Sequence, residues 1–409
     1  MANHAHPAPA PLGGPFITPL AVNLALLIGI AGIILFLRFL FGIGAVTNVN
    51  DGYSWGIWVV YDVMVGSAFA CGGYSVALLV YIFNKGEYHP LVRPALLGSL
   101  FGYTLAGASV IVDLGRYWNT WHIFWPGYAQ VNSVMFEVAV CITLYIVVMW
   151  IEFSPVFLEK FGLKQIRRRL SRWMFLFIAL GALLPSMHQS SLGSLLVVFG
   201  TAINPLWQTL LLPVLFLMTA ITVGYAVVVF ESTFSAMGFK RPYELDILSR
   251  LSKVMWGMLL AYLAVRVGDL VVRGAIVEAF RPTVVALMFW LEMLFFLLPA
   301  WLLAKPANRR RPNILFLSAV YLMLGTFLLR INGFLVGYDT GAGWRYFPSV
   351  PEMLVTLGII AIEILGYIVL VRWLPVLPKH EAKARSLSDL TPLARRPAAG
   401  CSARRRGAP

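Results

Sequence analysis

A chain built mainly of leucine, valine, alanine, glycine and phenylalanine carries few groups able to do chemistry, and many of them stand in or beside its apolar runs. Asp113 and Arg116 end one run, Glu137 lies inside the next, and Arg266, Asp269 and Arg330 close two later ones. Asp62 in VVYDVMVGSAFACGGY, Glu292 in MFWLEMLFF and Glu363 in IIAIEILGY are embedded in others. A charge near the middle of a membrane span costs about 3 kcal/mol on insertion scales, so each must face a protein interior and find a partner or a task. Asp113 with Arg116, and Arg266 with Asp269, have the i,i+3 spacing of self-satisfying ion pairs. The other reading is proton exchange. Glu137 has no basic residue within a helical turn, and a carboxyl without a countercharge is suited to taking up and releasing protons. Asp62 is a further relay candidate, whereas Glu292 and Glu363, without polar neighbours in sequence, suit hydrogen bonds between helices.

The stretch PSMHQSSLG, Pro185 to Gly193, adds an imidazole, an amide and three hydroxyls between two apolar segments. Pro185 is expected to end or kink a span, Ser190 or Ser191 to cap a second short helix, and SLGSLLVVFG to dip back as an interfacial segment. His188 and Gln189 would then share a membrane surface with Tyr53, Trp55, Tyr117 and Tyr128, which belong to NVNDGYSWGIW and DLGRYWNTWHIFWPGYAQVN. Tryptophan and tyrosine at this level commonly form an interfacial belt. The ionisable groups at the same depth need a further reason.

The elements that must position these residues are membrane helices. Of 409 residues 59% are hydrophobic and 12% charged, with mean hydropathy +0.79, against about 25% charged in soluble domains. Apolar windows fall at 18–43, 55–83, 92–113, 130–151, 172–185, 205–230, 254–271, 282–304, 313–331 and 351–373, each able to cross about 30 Å as a helix. The fifth is short and is expected to extend at its basic amino-terminal end. Breaks fall mainly at span ends. Of the 32 Lys and Arg, 25 lie in the even-numbered connections and from Arg372 onward, four in the odd-numbered connections and three (Arg38, Arg266, Arg330) inside spans. That bias places both termini in the cytoplasm. The net charge of +14 therefore speaks to topology and to membrane lipid, with no nucleic-acid partner expected. Residues 1–17 read as a cytoplasmic leader without a cleavable signal peptide, 18–378 as a ten-helix all-α membrane domain, and 379–409 as a disordered basic cytoplasmic tail. The three cysteines are too scattered for a disulfide framework or a metal site. A membrane haem needs facing axial histidines; none of the six histidines falls mid-span in these windows.

Several long segments carry a family likeness. VNDGYSWGIWVVYD, FACGGYSVALLVYIFNKGEYHPLVRPALLGSLFGY, DLGRYWNTWHIFWPGYAQVNSVMFEVAVC, ALGALLPSMHQSSLGSLL and YFPSVPEMLVTLGIIAIEILGYIVLVRWLPVLP closely resemble the NrfD/polysulfide reductase family of membrane subunits. Within it they are most similar to the HybB type, which serves periplasm-facing nickel-iron hydrogenases. The likeness runs from about residue 13 to 378.

The resemblance implies NrfD-like helical bundles in the bacterial inner membrane, without haem, docking a periplasmic ferredoxin-like iron-sulfur subunit and, through it, hydrogenase small and large subunits. Iron-sulfur clusters and nickel-iron centres would belong to those partners alone. Electrons from hydrogen would pass to a quinone, menaquinone or ubiquinone, bound near the periplasmic face, with protons taken up through the membrane. Carried onto this chain, the quinone-pocket candidates are Asp113, Arg116, Tyr117, Tyr128, His188 and Gln189, with Tyr53 and Trp55 at the same level, Glu137 as the proton group and Asp62 as a possible relay. Arg116 would hold negative charge developing on the quinone, His188 would donate to a carbonyl, and aromatic rings would form the slot. Three alternatives stay open: the anchor of a different periplasmic oxidoreductase such as a molybdenum enzyme, a haem-bearing anchor, and a secondary transporter, which would show mid-membrane helix breaks in matching positions of two halves.

Overall fold

In an apolar solvent the backbone must bond within each segment, and the computed structural model meets that demand with helices alone. It describes residues 9–53, 55–341 and 343–378. The first half of the leader and the whole basic tail lie outside the described residues. Among the described residues, ten helices are long and apolar enough to cross a membrane: α1 (Pro19–Phe41), α2 (Ile57–Ile82), α3 (Gly86–Asp113), α4 (Val134–Lys160), α5 (Met174–Val198), α6 (Leu212–Gly238), α7 (Leu245–Val272), α8 (Val284–Ala304), α9 (Pro312–Val336) and α10 (Val350–Trp373). Among the described residues there is no β-strand. A short basic helix, Lys164–Ser171, precedes α5.

Local signals set several starts. Thr18 caps α1, its hydroxyl accepting from the Ala21 amide at 3.2 Å, and Thr283 does the same for α8 through Ala286. Ser349 and Glu352 form a reciprocal capping box at α10. Helices α2 to α5 close one four-helix bundle and α6 to α9 a second; α6 joins them by packing on α2 and α5, while α1 lies on α10 and α10 on α3. The apolar window of α2 is 78% buried and that of α1 only 11%, so α2 is a central helix and α1 a peripheral one. The run GSAFACGG makes the centre possible: Gly73 leaves room for the backbone of Leu96, 3.0 Å from where a Cβ would sit, and Gly72 lies close on α6. The two ends of the described chain pair, the Ala10 amide donating to the Leu377 carbonyl at 2.9 Å, so they share one face, here called the basic face for its Lys- and Arg-rich connections.

Two expectations are corrected. Helix α5 does not stop at Pro185 and gains its length beyond it, not at its basic end. The hydroxyls that resemble a loop are satisfied by the helix itself: Ser186 donates to the Ala182 carbonyl at 2.7 Å, and Ser190 and Ser191 both to the Met187 carbonyl at 2.8 Å. They therefore cap nothing, SLGSLLVV is helical, and His188 and Gln189 are mid-span residues. Breaks are also not confined to span ends. Helix α2 widens into π turns at Val60–Gly66 and Leu78–Ile82, with a turn at Ala70 and Cys71 between them. Its counterpart at the start of the second bundle, α6, is continuous, so the paired breaks of a transporter are not seen in these two helices.

Gly358 of α10 faces Ala31 of α1, with no room for a Cβ. Gly358→Leu should push α1 off and cost about 1–3 kcal/mol, visible as a lowered unfolding temperature of the detergent-solubilised chain, while Gly29→Leu on the open face of α1 should leave it unchanged.

Candidate functional site

The polar side chains of α2, α3, α5 and α9 meet at mid-depth. Gln189, fully buried on α5, donates to the Ser67 hydroxyl at 3.0 Å and the Tyr103 hydroxyl at 3.4 Å, and accepts from the Arg330 guanidinium at 3.1 Å. Arg330 also donates to the Phe216 carbonyl at 3.2 Å and lies over the Phe216 ring. Tyr103 is 3.4 Å from the Cys71 sulfur and packs edge-on against Tyr145 and His188. Both ring nitrogens of His188, and Nε and Nη1 of Arg330, lack hydrogen-bond partners among the described residues. Buried groups of this kind are commonly completed by water.

A second group sits at the other end of the spans. The Trp58 indole donates to the Asp113 carboxylate at 2.7 Å. Arg38 of α1, within electrostatic reach of Asp113, donates to the Leu114 carbonyl and covers the rings of Phe39 and Tyr117. The expected Asp113–Arg116 pair does not form: Arg116 is exposed on the loop after α3, because the chain leaves the helix at Leu114. Tyr128 is 63% exposed and stacks on His122. Glu137 is half-buried in the first turn of α4. The Arg266–Asp269 pair is also absent. Arg266 meets Glu292 at 3.6 Å and Asp269 meets Arg273 at 2.7 Å, since Arg266 points into the second bundle, where it is fully buried, and Asp269 toward the helix end. Glu292 also accepts from Trp207 at 2.8 Å and Asn332 at 3.0 Å, which makes it a bond between helices.

Tyr53 and Trp55 belong to a third, aromatic group. Tyr53 donates to the Tyr338 carbonyl at 3.0 Å and stacks on Tyr346; Trp55 packs edge-on against Phe199 and Phe334. The motif NVNDGYSWG is largely the frame of this corner. Asn50 accepts from the Gly52 and Tyr53 amides, and Asn48 donates through its backbone to Glu352 at 3.0 Å. Glu352 also accepts from Tyr346 at 2.7 Å. Burial, then that bond to the carboxylate, pushes the Tyr346 phenol upward, so it stays a donor. The nominated residues thus fall into three groups: Gln189 with His188; Asp113 with Tyr117; Tyr53 with Trp55. Arg116 and Tyr128 stand apart on the surface.

Sequence reasoning passes over several partners. Arg38, Trp58, Tyr103 and Arg330 carry the first two groups, and by sequence Arg330 is only a span-end charge. A column of acids also escapes it as a set. Asp62 lies within electrostatic reach of Glu363, and Glu363 within reach of Glu231. The one available signal is that all three stand inside apolar spans. Separately, α2 to α5 enclose a cavity of about 300 Å³ lined by His89, Arg93 and Arg167 at the basic face and by Glu152, Tyr74 and Tyr145 deeper in.

The comparisons with known proteins agree with this architecture. Residues 45–340 match the family model described as polysulphide reductase, NrfD. The chain belongs to the NrfD family. As an NrfD protein it is an integral membrane subunit with many spans. It is 44% identical over 385 residues, 91% of this chain and 98% of the relative, to a protein of Escherichia coli (strain K12) named probable Ni/Fe-hydrogenase 2 b-type cytochrome subunit. It is 26% identical, over 83% of this chain and 87% of the relative, to the integral membrane subunit of a menaquinone reductase of Nitratidesulfovibrio vulgaris. A more distant NrfD relative is a selenate reductase subunit of Mesobacillus selenatarsenatis, 24% identical over 51% of this chain and 54% of the relative.

Removing one partner of a buried ion pair costs about 3–5 kcal/mol, and replacing both with apolar groups costs far less. Arg266→Met should therefore strongly destabilise the folded chain, and adding Glu292→Leu should restore much of the loss, as read by thermal unfolding in detergent.

Proposed function

We propose that this NrfD protein is the quinone-reactive membrane subunit of a hydrogen-oxidising respiratory complex in the bacterial inner membrane. Electrons would come from a periplasmic iron-sulfur partner bound to the hydrogenase subunits, and quinone would be reduced with coupled proton transfer. The observation that carries the reading is the outer group of Asp113, Trp58, Arg38 and Tyr117, a carboxylate and a cation set among aromatic rings at the end of α3. Quinone reduction takes two electrons and two protons, and asks for polar groups at the ring oxygens, a flat apolar slot and a proton supply. Tyr53, Trp55 and their ring neighbours offer the slot; Asp113 and Arg38 offer the polar groups. Arg116 and Tyr128, exposed on the same side, fit better with the docking partner than with the pocket.

Three features support proton supply by acids. Glu137 opens α4, in its first turn. Asp62 lies in the widened π turn of α2, a local geometry frequent at functional sites. Glu363 and Glu231 continue the column toward the basic face. The likeness to the hydrogenase subunit, 44% against 26% for the menaquinone reductase subunit, favours hydrogen as the source of electrons. A bis-histidine haem does not fit the donor set: His188 is the one buried histidine among the described residues.

Hydrogen-dependent quinone reduction by membranes carrying the complex tests the assignment. Asp113→Asn and Glu137→Gln should each lower the rate about 10²-fold or more, the scale of a lost proton-transfer group, with Glu137→Gln retaining quinone binding. A full rate in Asp113→Asn would reject the pocket.

A further inference from the structure

Arg330 is a cation without a countercharge in the middle of a membrane protein. It is fully buried, and no carboxylate forms an ion pair with it among the described residues. The groups around it are Cys71 of α2, Tyr103 of α3, His188 and Gln189 of α5, Phe216 of α6 and Tyr262 of α7; α8, also packed on α9, carries Glu292. Glu292, a buried carboxylate across Tyr262, is taken by Arg266, Trp207 and Asn332.

Its position in series is the second observation. From the basic face, the cavity of about 300 Å³ runs inward to Glu152, Tyr74 and Tyr145. Tyr145 touches Tyr103, ring centroids 4.6 Å apart; Tyr103 bonds Gln189; and Gln189 bonds Arg330. Past Arg330 the side chains turn aromatic, Phe216 to Phe334 to Trp55, up to the opposite face. A polar route that water can complete thus leads from one side of the membrane to Arg330, with only rings beyond it. Water entering past those rings would join the two sides and discharge the proton gradient.

We propose that Arg330 is a proton barrier: its fixed, uncompensated positive charge keeps hydrated protons that reach the Tyr103–Gln189 array from crossing to the other face. A unit charge acting over a few ångströms in a protein interior is enough to exclude a cation, and the guanidinium bonds the Gln189 amide through Nη2 while its Nε and Nη1 have no protein partner among the described residues. The inference does not depend on which electron donor or quinone the chain serves.

The test is passive and needs neither hydrogen nor quinone. The full chain is reconstituted in liposomes holding a pH-sensitive dye, and proton flux is driven by a potassium diffusion potential set with valinomycin. Arg330→Gln should raise the flux at least about tenfold, Arg330→Lys should stay as tight as the native chain, and Glu152→Gln added to Arg330→Gln should bring the flux down again. Where Arg330→Gln does not fold, Cys71→Asp serves: it sets a carboxylate beside Arg330, cancels the charge while leaving the arginine paired, and should leak as well. A folded Arg330→Gln or Cys71→Asp chain that holds the gradient like the native one overturns the barrier, and so does an Arg330→Lys chain that leaks as much as Arg330→Gln.

Discussion

Gln189 is the amide through which the two helix bundles meet. Its nitrogen donates to α2 and α3 of the first bundle and its oxygen accepts from Arg330 of the second. A side-chain amide is suited to that position because it offers donors and an acceptor at opposite edges. Loss of any partner would leave a buried polar atom unpaired at about 1–3 kcal/mol. The close packing of α2, made possible by its glycines, and the continuity of α5 through Pro185 both serve to bring these few atoms within reach.

The same constraint explains where sequence reading succeeds. Span number follows from composition, because a 20-residue apolar helix is the stable answer to a bilayer, and the alternation of Lys and Arg between connections leaves little freedom in the count. The close approach around GSAFACGG is legible for a similar reason, since only small residues permit it. The family likeness rests on long quoted segments, and the match over residues 45–340 agrees with it.

Side-chain partnership is much less legible. PSMHQSSLG looks like a loop by composition, yet each of its serines returns its hydroxyl to the helix backbone, and nothing in residue type announces that choice. Spacing at i,i+3 suggests ion pairs that do not form. The structure instead pairs Arg266 across to α8 and Asp269 with Arg273 one turn away, because burial depth, not sequence distance, decides which carboxylate a buried guanidinium meets. Arg38 and Trp58 escape sequence reading for the same reason: Trp58 bonds Asp113 from 55 residues away in sequence, and Arg38 bonds the Leu114 carbonyl from 76 residues away.

A membrane subunit with the proposed function has to offer polar paths without becoming a pore. The two bundles divide that problem. The first holds the acids Asp62 and Glu152, the tyrosines and the cavity; the second adds Glu231 to the acid column, pairs Arg266 with Glu292 and Asp269 with Arg273, and sets one unpaired cation at the seam. Buried charge is costly wherever it stands, so a fold that pairs Arg266 and leaves Arg330 unpaired is not minimising that cost at the seam. Arg330 occupies the one point where the polar array of the first bundle meets the aromatic layer under the opposite face, and an uncompensated positive charge there has a use that a neutral side chain of the same length would not.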